Sequence, residues 1–97
     1  MRVEFRPAAR QELLDAADWY RAEGGPGVAE QFGLAMEHAL QLLGRMPRLG
    51  TPIARQLRVW SLRHFPYSLV YRVQGERLTV LAVAHQRRAP TYWVGRG

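Results

Sequence analysis

Apolar residues recur along this chain with two different periods, and the change of period divides it. Val3 and Phe5 alternate with charged neighbours over residues 2–6, as a half-buried strand does. Pro7 stops that strand and suits the first turn of a helix, where its missing N–H costs nothing. Ala9, Leu13, Ala16, Ala17 and Tyr20 then fall on one stripe, with Arg10, Glu12, Asp15, Asp18 and Arg21 on the other side. Gly24-Gly25-Pro26-Gly27 breaks the helix. A second is predicted over roughly 28–46, with Val28, Phe32, Ala35, Met36, Ala39, Leu42, Leu43 and Met46 on one broad face. So short a turn makes the two helices antiparallel neighbours.

Pro47, Gly50 and Pro52 predict a loop, and from about residue 56 the period becomes two. Residues 57–63 read as a second strand, broken by Phe65-Pro66. Tyr67, Leu69, Tyr71 and Val73 alternate as a third, which ends at the turn Gln74-Gly75. In the last strand Leu78, Val80, Ala82 and Ala84 stand against Thr79, Leu81, Val83 and His85. Both faces are apolar, which places this strand inside a sheet. The order β-α-α-β-β-β predicts an α+β domain over residues 1–97, an N-terminal helical hairpin on one face of an antiparallel sheet. A chain of this length buries about 65% of its extended surface, enough for a core without staples.

Charge sharpens the picture. The fourteen basic residues are all arginine, and they are unevenly placed. Residues 1–44 carry a net −3 and residues 45–97 a net +9, within a total of +6. Such segregation implies a basic face that meets an anionic target or an acidic protein. Cysteine is absent, which excludes disulfides and thiolate chemistry. No apolar run approaches the ~18–20 residues of a membrane span, and Met1-Arg2-Val3-Glu4 opens no signal peptide, so a cytoplasmic protein is expected.

His38, His64 and His85 are scattered, without a second ligand at metal-binding spacing, so neither metal nor another cofactor is expected. The glycine cluster at 24–27 is a turn and not a phosphate loop. Glu12, Asp15, Asp18 and Glu23 form an acidic helix face, most simply a solvated one. The stretch His85-Gln86-Arg87-Arg88-Ala89-Pro90-Thr91-Tyr92-Trp93 follows a buried strand directly, and Arg63 and Arg72 offer further cations. Two readings stand side by side. The aromatics pack the tail onto the sheet while the arginines are solvated. Alternatively, the cluster binds or cuts a nucleic acid, with His85 or Tyr92 moving the proton and Arg87 or Arg88 stabilising charge on the phosphate.

An ordered set of residues carries a family resemblance. It runs through Pro7-Ala8-Ala9, Glu12-Leu13, Ala16-x-x-Trp19-Tyr20 and Phe65-Pro66-Tyr67-x-x-x-Tyr71. It ends with Val80-x-x-Val83-x-His85-x-Arg87-Arg88-x-Pro90-x-Tyr92-Trp93. Together these resemble the RelE/ParE toxins of bacterial type II toxin–antitoxin systems, over nearly the whole chain. The resemblance implies a small toxin neutralised by a cognate antitoxin. It further implies one of two targets: the ribosome, where RelE-like members cut mRNA, or DNA gyrase, which ParE-like members poison. The RelE-like branch uses lysines on the second strand and an arginine after the third-strand tyrosine. This chain has Val59, Ser61 and Ser68 there, and only Tyr92 and Arg87 or Arg88 fall on matching positions. The gyrase reading is therefore favoured, with mRNA cleavage through His85, Arg87, Arg88 and Tyr92 as the alternative. Arg63, His85, Arg87, Arg88, Tyr92 and Trp93 are the expected target surface. Trp19 and Leu34, in a groove between the helices, and Arg58 and Arg72 on the sheet, are expected to meet the antitoxin.

Overall fold

The computed structural model describes residues 1–54, 56–88 and 91–96. Ala89 and Pro90 of the C-terminal motif lie outside the described residues. The elements run β1 (Arg2–Phe5), α1 (Pro7–Gly24), α2 (Pro26–Arg45), β2 (Thr51–Ala54), β3 (Leu57–Ser61), β4 (Tyr67–Gln74) and β5 (Arg77–His85). The α+β plan with a helical hairpin on one face of the sheet is as expected. Two features of the sheet differ. It has five strands in the order β1-β5-β4-β3-β2, and β1 pairs with β5 in parallel, so the sheet is mixed. Short connections force β2 to β5 into an antiparallel meander, whereas two helices separate β1 from its neighbours and leave its direction free. The extra strand, β2, lies in the segment expected to be a loop. Pro52 removes a ladder donor and all four residues are exposed, so neither alternation nor propensity marks it, as befits an edge strand.

The helical hairpin turns on one residue. Gly25, at φ 87°, donates its N–H to Arg21 O at 3.1 Å and accepts from Ala29 N at 3.2 Å. It thereby ends α1 and begins α2, and only glycine takes that φ without strain. Pro26 at the first helical position starts α2 two residues earlier than the apolar stripe does.

Ala9 and Ala16 of α1 and Phe32, Met36, Ala39 and Leu43 of α2 are buried against Leu69, Tyr71, Leu78, Val80 and Val83 of the sheet. Phe32 sits among Tyr20, Phe65 and Tyr67 at ring separations of 5.0, 5.3 and 5.6 Å. A bulge shapes β5. Register passes from Val70↔Ala82 to Tyr71↔Val80, which leaves Leu81 without a partner on β4. The extra residue lets both Val80 and Val83, three positions apart, reach the helix-side core. On the opposite face Val70, Ala82 and Trp93 form a smaller cluster with Leu57, Val59, Ala84 and Tyr92.

Tyr71 fastens the loop before β2. Its hydroxyl donates to Pro47 O at 2.7 Å and accepts from Gly50 N at 2.9 Å. A Cβ on Gly50 would stand 2.8 Å from the ring's Cε1. Arg58 donates to the Arg48 and Gly50 carbonyls at 3.0 and 2.8 Å. Tyr71→Phe strands a buried N–H and a carbonyl, and is expected to cost about 1–3 kcal/mol in chemical denaturation. Gly50→Ala should cost a similar amount, about 1–3 kcal/mol, through overpacking. Either variant within about 0.5 kcal/mol of the wild type would refute the fastening role.

Candidate functional site

β1 covers only part of β5. Its last pair is Phe5↔Val80, followed by one bond from Arg6 N to Val80 O, while β5 continues to His85. The outer edge beyond Val80 therefore carries backbone groups that no strand pairs. Side chains take them instead. Glu12, one turn into α1, accepts the Val83 N–H on Oε1 at 3.0 Å. Arg96 reaches back from the C-terminal segment and donates from Nη1 to the Leu81 carbonyl at 3.2 Å. The same guanidinium forks onto both carboxylate oxygens of Glu12, at 2.8 and 3.2 Å. Arg88 Nη1 stands 3.5 Å from Glu12 Oε2. One carboxylate, only 15% exposed, thus serves a strand edge and two arginines.

Tyr92 lies against this cluster. The Arg88 guanidinium is stacked 3.7 Å from its ring centroid and the Arg96 guanidinium lies 5.0 Å away. Its hydroxyl is buried and has no hydrogen-bond partner among the described residues. Burial pushes the phenol up to about 12, the Glu12 carboxylate adding to the rise while Arg88 and Arg96 pull against it. Arg96 is raised in turn, chiefly by its bond to Glu12. Trp93 is buried on the open face of the sheet.

The other expected site residues separate into three places. His85 shares with Arg72, Arg88, Tyr92 and Trp93 an apolar groove of about 710 Å³ on the open face, with Leu57, Val59 and Val70 in its floor. Its ring meets Tyr67 edge-on at 5.1 Å, and its Nδ1 accepts the Arg87 N–H at 3.1 Å. In the neutral ring that bond leaves the proton on Nε2, so the nitrogen free to face solvent is a donor. Arg87 is exposed beside this groove. Arg63 is elsewhere: with His64 it lines a groove of about 1030 Å³ between α2 and the end of β3, because the chain turns away at His64, φ 68°.

Trp19 and Leu34 do not share the interhelical groove expected for them. Leu34 lines the groove that holds Arg63, and Trp19 lines a small hollow with Glu12, Asp15, His85 and Arg88. The groove between the helices is lined instead by Leu13, Leu14, Ala17, Gly33, Met36 and Leu40. Arg58 is engaged with the loop carbonyls. The acidic face of α1 is solvated at Asp15 and Asp18, which bond Gln11 and Arg21 at the surface, but not at Glu12. Arg96 lies in no motif, and the Glu12-Leu13 pair that belongs to the family resemblance carries no sign of the inward role of Glu12.

This architecture recurs in solved structures. The chain matches a structure described as "Chromosomal ParDE TA system from P. aeruginosa" with a TM-score of 0.76, covering 88% of this chain and 95% of that one. At 20% identity, that likeness establishes the fold. The family follows from the sequence itself: the description "ParE toxin of type II toxin-antitoxin system, parDE" matches residues 3–90. The chain belongs to the ParE toxin family. No curated protein matches it significantly.

All four tyrosines, Tyr20, Tyr67, Tyr71 and Tyr92, are shifted upward, burial being the largest cause in each. For Tyr92 the neutral phenol is favoured by folding. Its contribution is fully present below the ordinary value of 10.0 and is lost as pH rises to about 12. The folded protein should therefore show tyrosinate absorbance only at higher pH than the denatured chain. Tyr92→Phe removes this upward-shifted step. Because the Glu12 carboxylate lies close enough to the phenol to raise it, the neutral-pH melting temperature separates an unpaired hydroxyl, for which it is unchanged or higher, from a bonded one. A clear drop in melting temperature would reveal a bonded hydroxyl.

Proposed function

We propose that this ParE-family toxin acts by binding and inhibiting DNA gyrase, and that a cognate antitoxin neutralises it. The observation that carries the reading is the commitment of the C-terminal cluster to structure. RNA cleavage needs a base for the 2′-hydroxyl and an acid for the leaving oxygen. The Tyr92 hydroxyl is buried, and the His85 Nδ1 already accepts a backbone N–H. Arg96 is forked onto Glu12, and Arg88, held beside the same carboxylate, keeps an exposed face. What faces outward is a basic and apolar surface built of Arg72, Arg87, Arg88, His85 and the groove walls. That surface suits recognition of another macromolecule better than proton transfer. The description of the similar structure as a ParDE pair supports an antitoxin as the second partner.

The test is a supercoiling assay with purified toxin, freed of antitoxin, on plasmid with gyrase and ATP. Blocked supercoiling or accumulation of linear, protein-linked DNA is the expected result, and added antitoxin reverses it. Gyrase left untouched at excess toxin, together with cleavage of ribosome-bound mRNA, would replace this reading with the nuclease one.

A further inference from the structure

The C-terminal segment is attached to the sheet by very little. Among residues 91–96 the backbone bonds given by the structure are internal turns, from Val94 N to Thr91 O at 3.0 Å and from Arg96 N to Trp93 O at 3.2 Å. No ladder joins the segment to a strand among the described residues. Among the described residues, side chains hold it: Trp93 and Tyr92 in the small apolar cluster, Tyr92 also under the Arg88 guanidinium, and the guanidinium of Arg96 on Glu12 and Leu81. The Arg96 anchor bridges residues at opposite ends of the chain. It also bears on the working surface, because Arg88 contacts both the Glu12 carboxylate and the Tyr92 ring.

We propose that Glu12 is a positioning residue: it latches the C-terminal segment onto the uncovered edge of β5, and so sets the placement of Tyr92 and Trp93 beneath the surface and of Arg88 on it, where the target meets it. The functional half of this inference rests on the gyrase reading given above. A carboxylate suits the task because its two oxygens take a forked guanidinium and a backbone N–H together. A partly buried pair is also screened less by salt than a surface pair, so the latch holds at physiological ionic strength. Removing Arg96 leaves Glu12 bonded to Val83 and close to Arg88, so of the β5 edge groups met by side chains the Leu81 carbonyl loses its donor while the segment comes free.

Hydrogen exchange on the full-length toxin, read by peptide, tests the latch directly. Arg96→Gln and Glu12→Gln are each expected to speed exchange in residues 91–96 by about tenfold or more, with α1, α2 and β4 unchanged. Arg96→Lys, which keeps the charge and loses the fork, should fall between them and the wild type. Gyrase inhibition should weaken in the same rank order and not in the order of melting temperatures. Unchanged exchange in 91–96, or equal acceleration throughout the protein, overturns the latch. Faster exchange with full gyrase inhibition overturns the positioning role. A wild-type protein inert on gyrase refutes the target reading alone, and the exchange data still decide the latch.

Discussion

β5 outruns its parallel partner, and much of the structure answers that mismatch. A strand of nine residues beside one of four leaves a stretch of edge backbone in the middle of a folded protein. Unpaired N–H and C=O groups there are costly if buried and a template for aggregation if exposed. The bulge at Leu81 falls in that stretch, and the Leu81 carbonyl is one of the groups left for a side chain to meet. Glu12 and Arg96 resolve it with side chains, which is why a helix near the start of the chain and a tail at its end converge on one strand. The convergence also decides the chemistry nearby. Arginines recruited to satisfy an edge and a carboxylate, and a phenol buried beneath them, are structural before they are anything else.

The two faces of the sheet are covered unequally. The helical hairpin seals one face with its alanine-rich stripe and the aromatic group around Phe32. Among the described residues the other carries Trp93 and Tyr92 over a few aliphatic side chains, and an open apolar groove remains beside them. The charged residues that line this groove, Arg72 and Arg88, are cations. Apolar floor and cationic walls are the combination through which a protein surface selects an acidic, partly apolar partner. The charge segregation of the sequence is in keeping with these cationic walls.

Legibility followed the strength of local periodicity. The apolar stripes of both helices, Ala9 to Tyr20 and Phe32 to Leu43, were plain, because burial on one helical face writes itself at fixed intervals. So was the interior position of β5. β2 was not, since an exposed edge strand containing Pro52 has no pattern to show. The parallel pairing of β1 is a property of topology that four residues cannot record. At the site, the C-terminal stretch stood out as a cluster of arginines and aromatics, and the structure does gather His85, Arg88, Tyr92 and Trp93 there. Glu12 escaped for a different reason. Its neighbours Asp15 and Asp18 on the same face are solvated, and only the distant Arg96 and the Val83 N–H make it different. Nothing local to residue 12 reports a partner 84 positions away.

The pairing of Arg2 with Arg77 also fixes an order of events during synthesis. The helical hairpin closes on a single residue, and β2 to β5 zip through short turns, so both are local and fast. β1 is different: the first strand made must wait for the last before it finds its place in the sheet. Until β5 has been made, a growing chain holds a hairpin and part of a meander, but no completed sheet. The clasp between Glu12 and Arg96 is therefore the last of these pieces to close, because it needs α1, β5 and residue 96 at once.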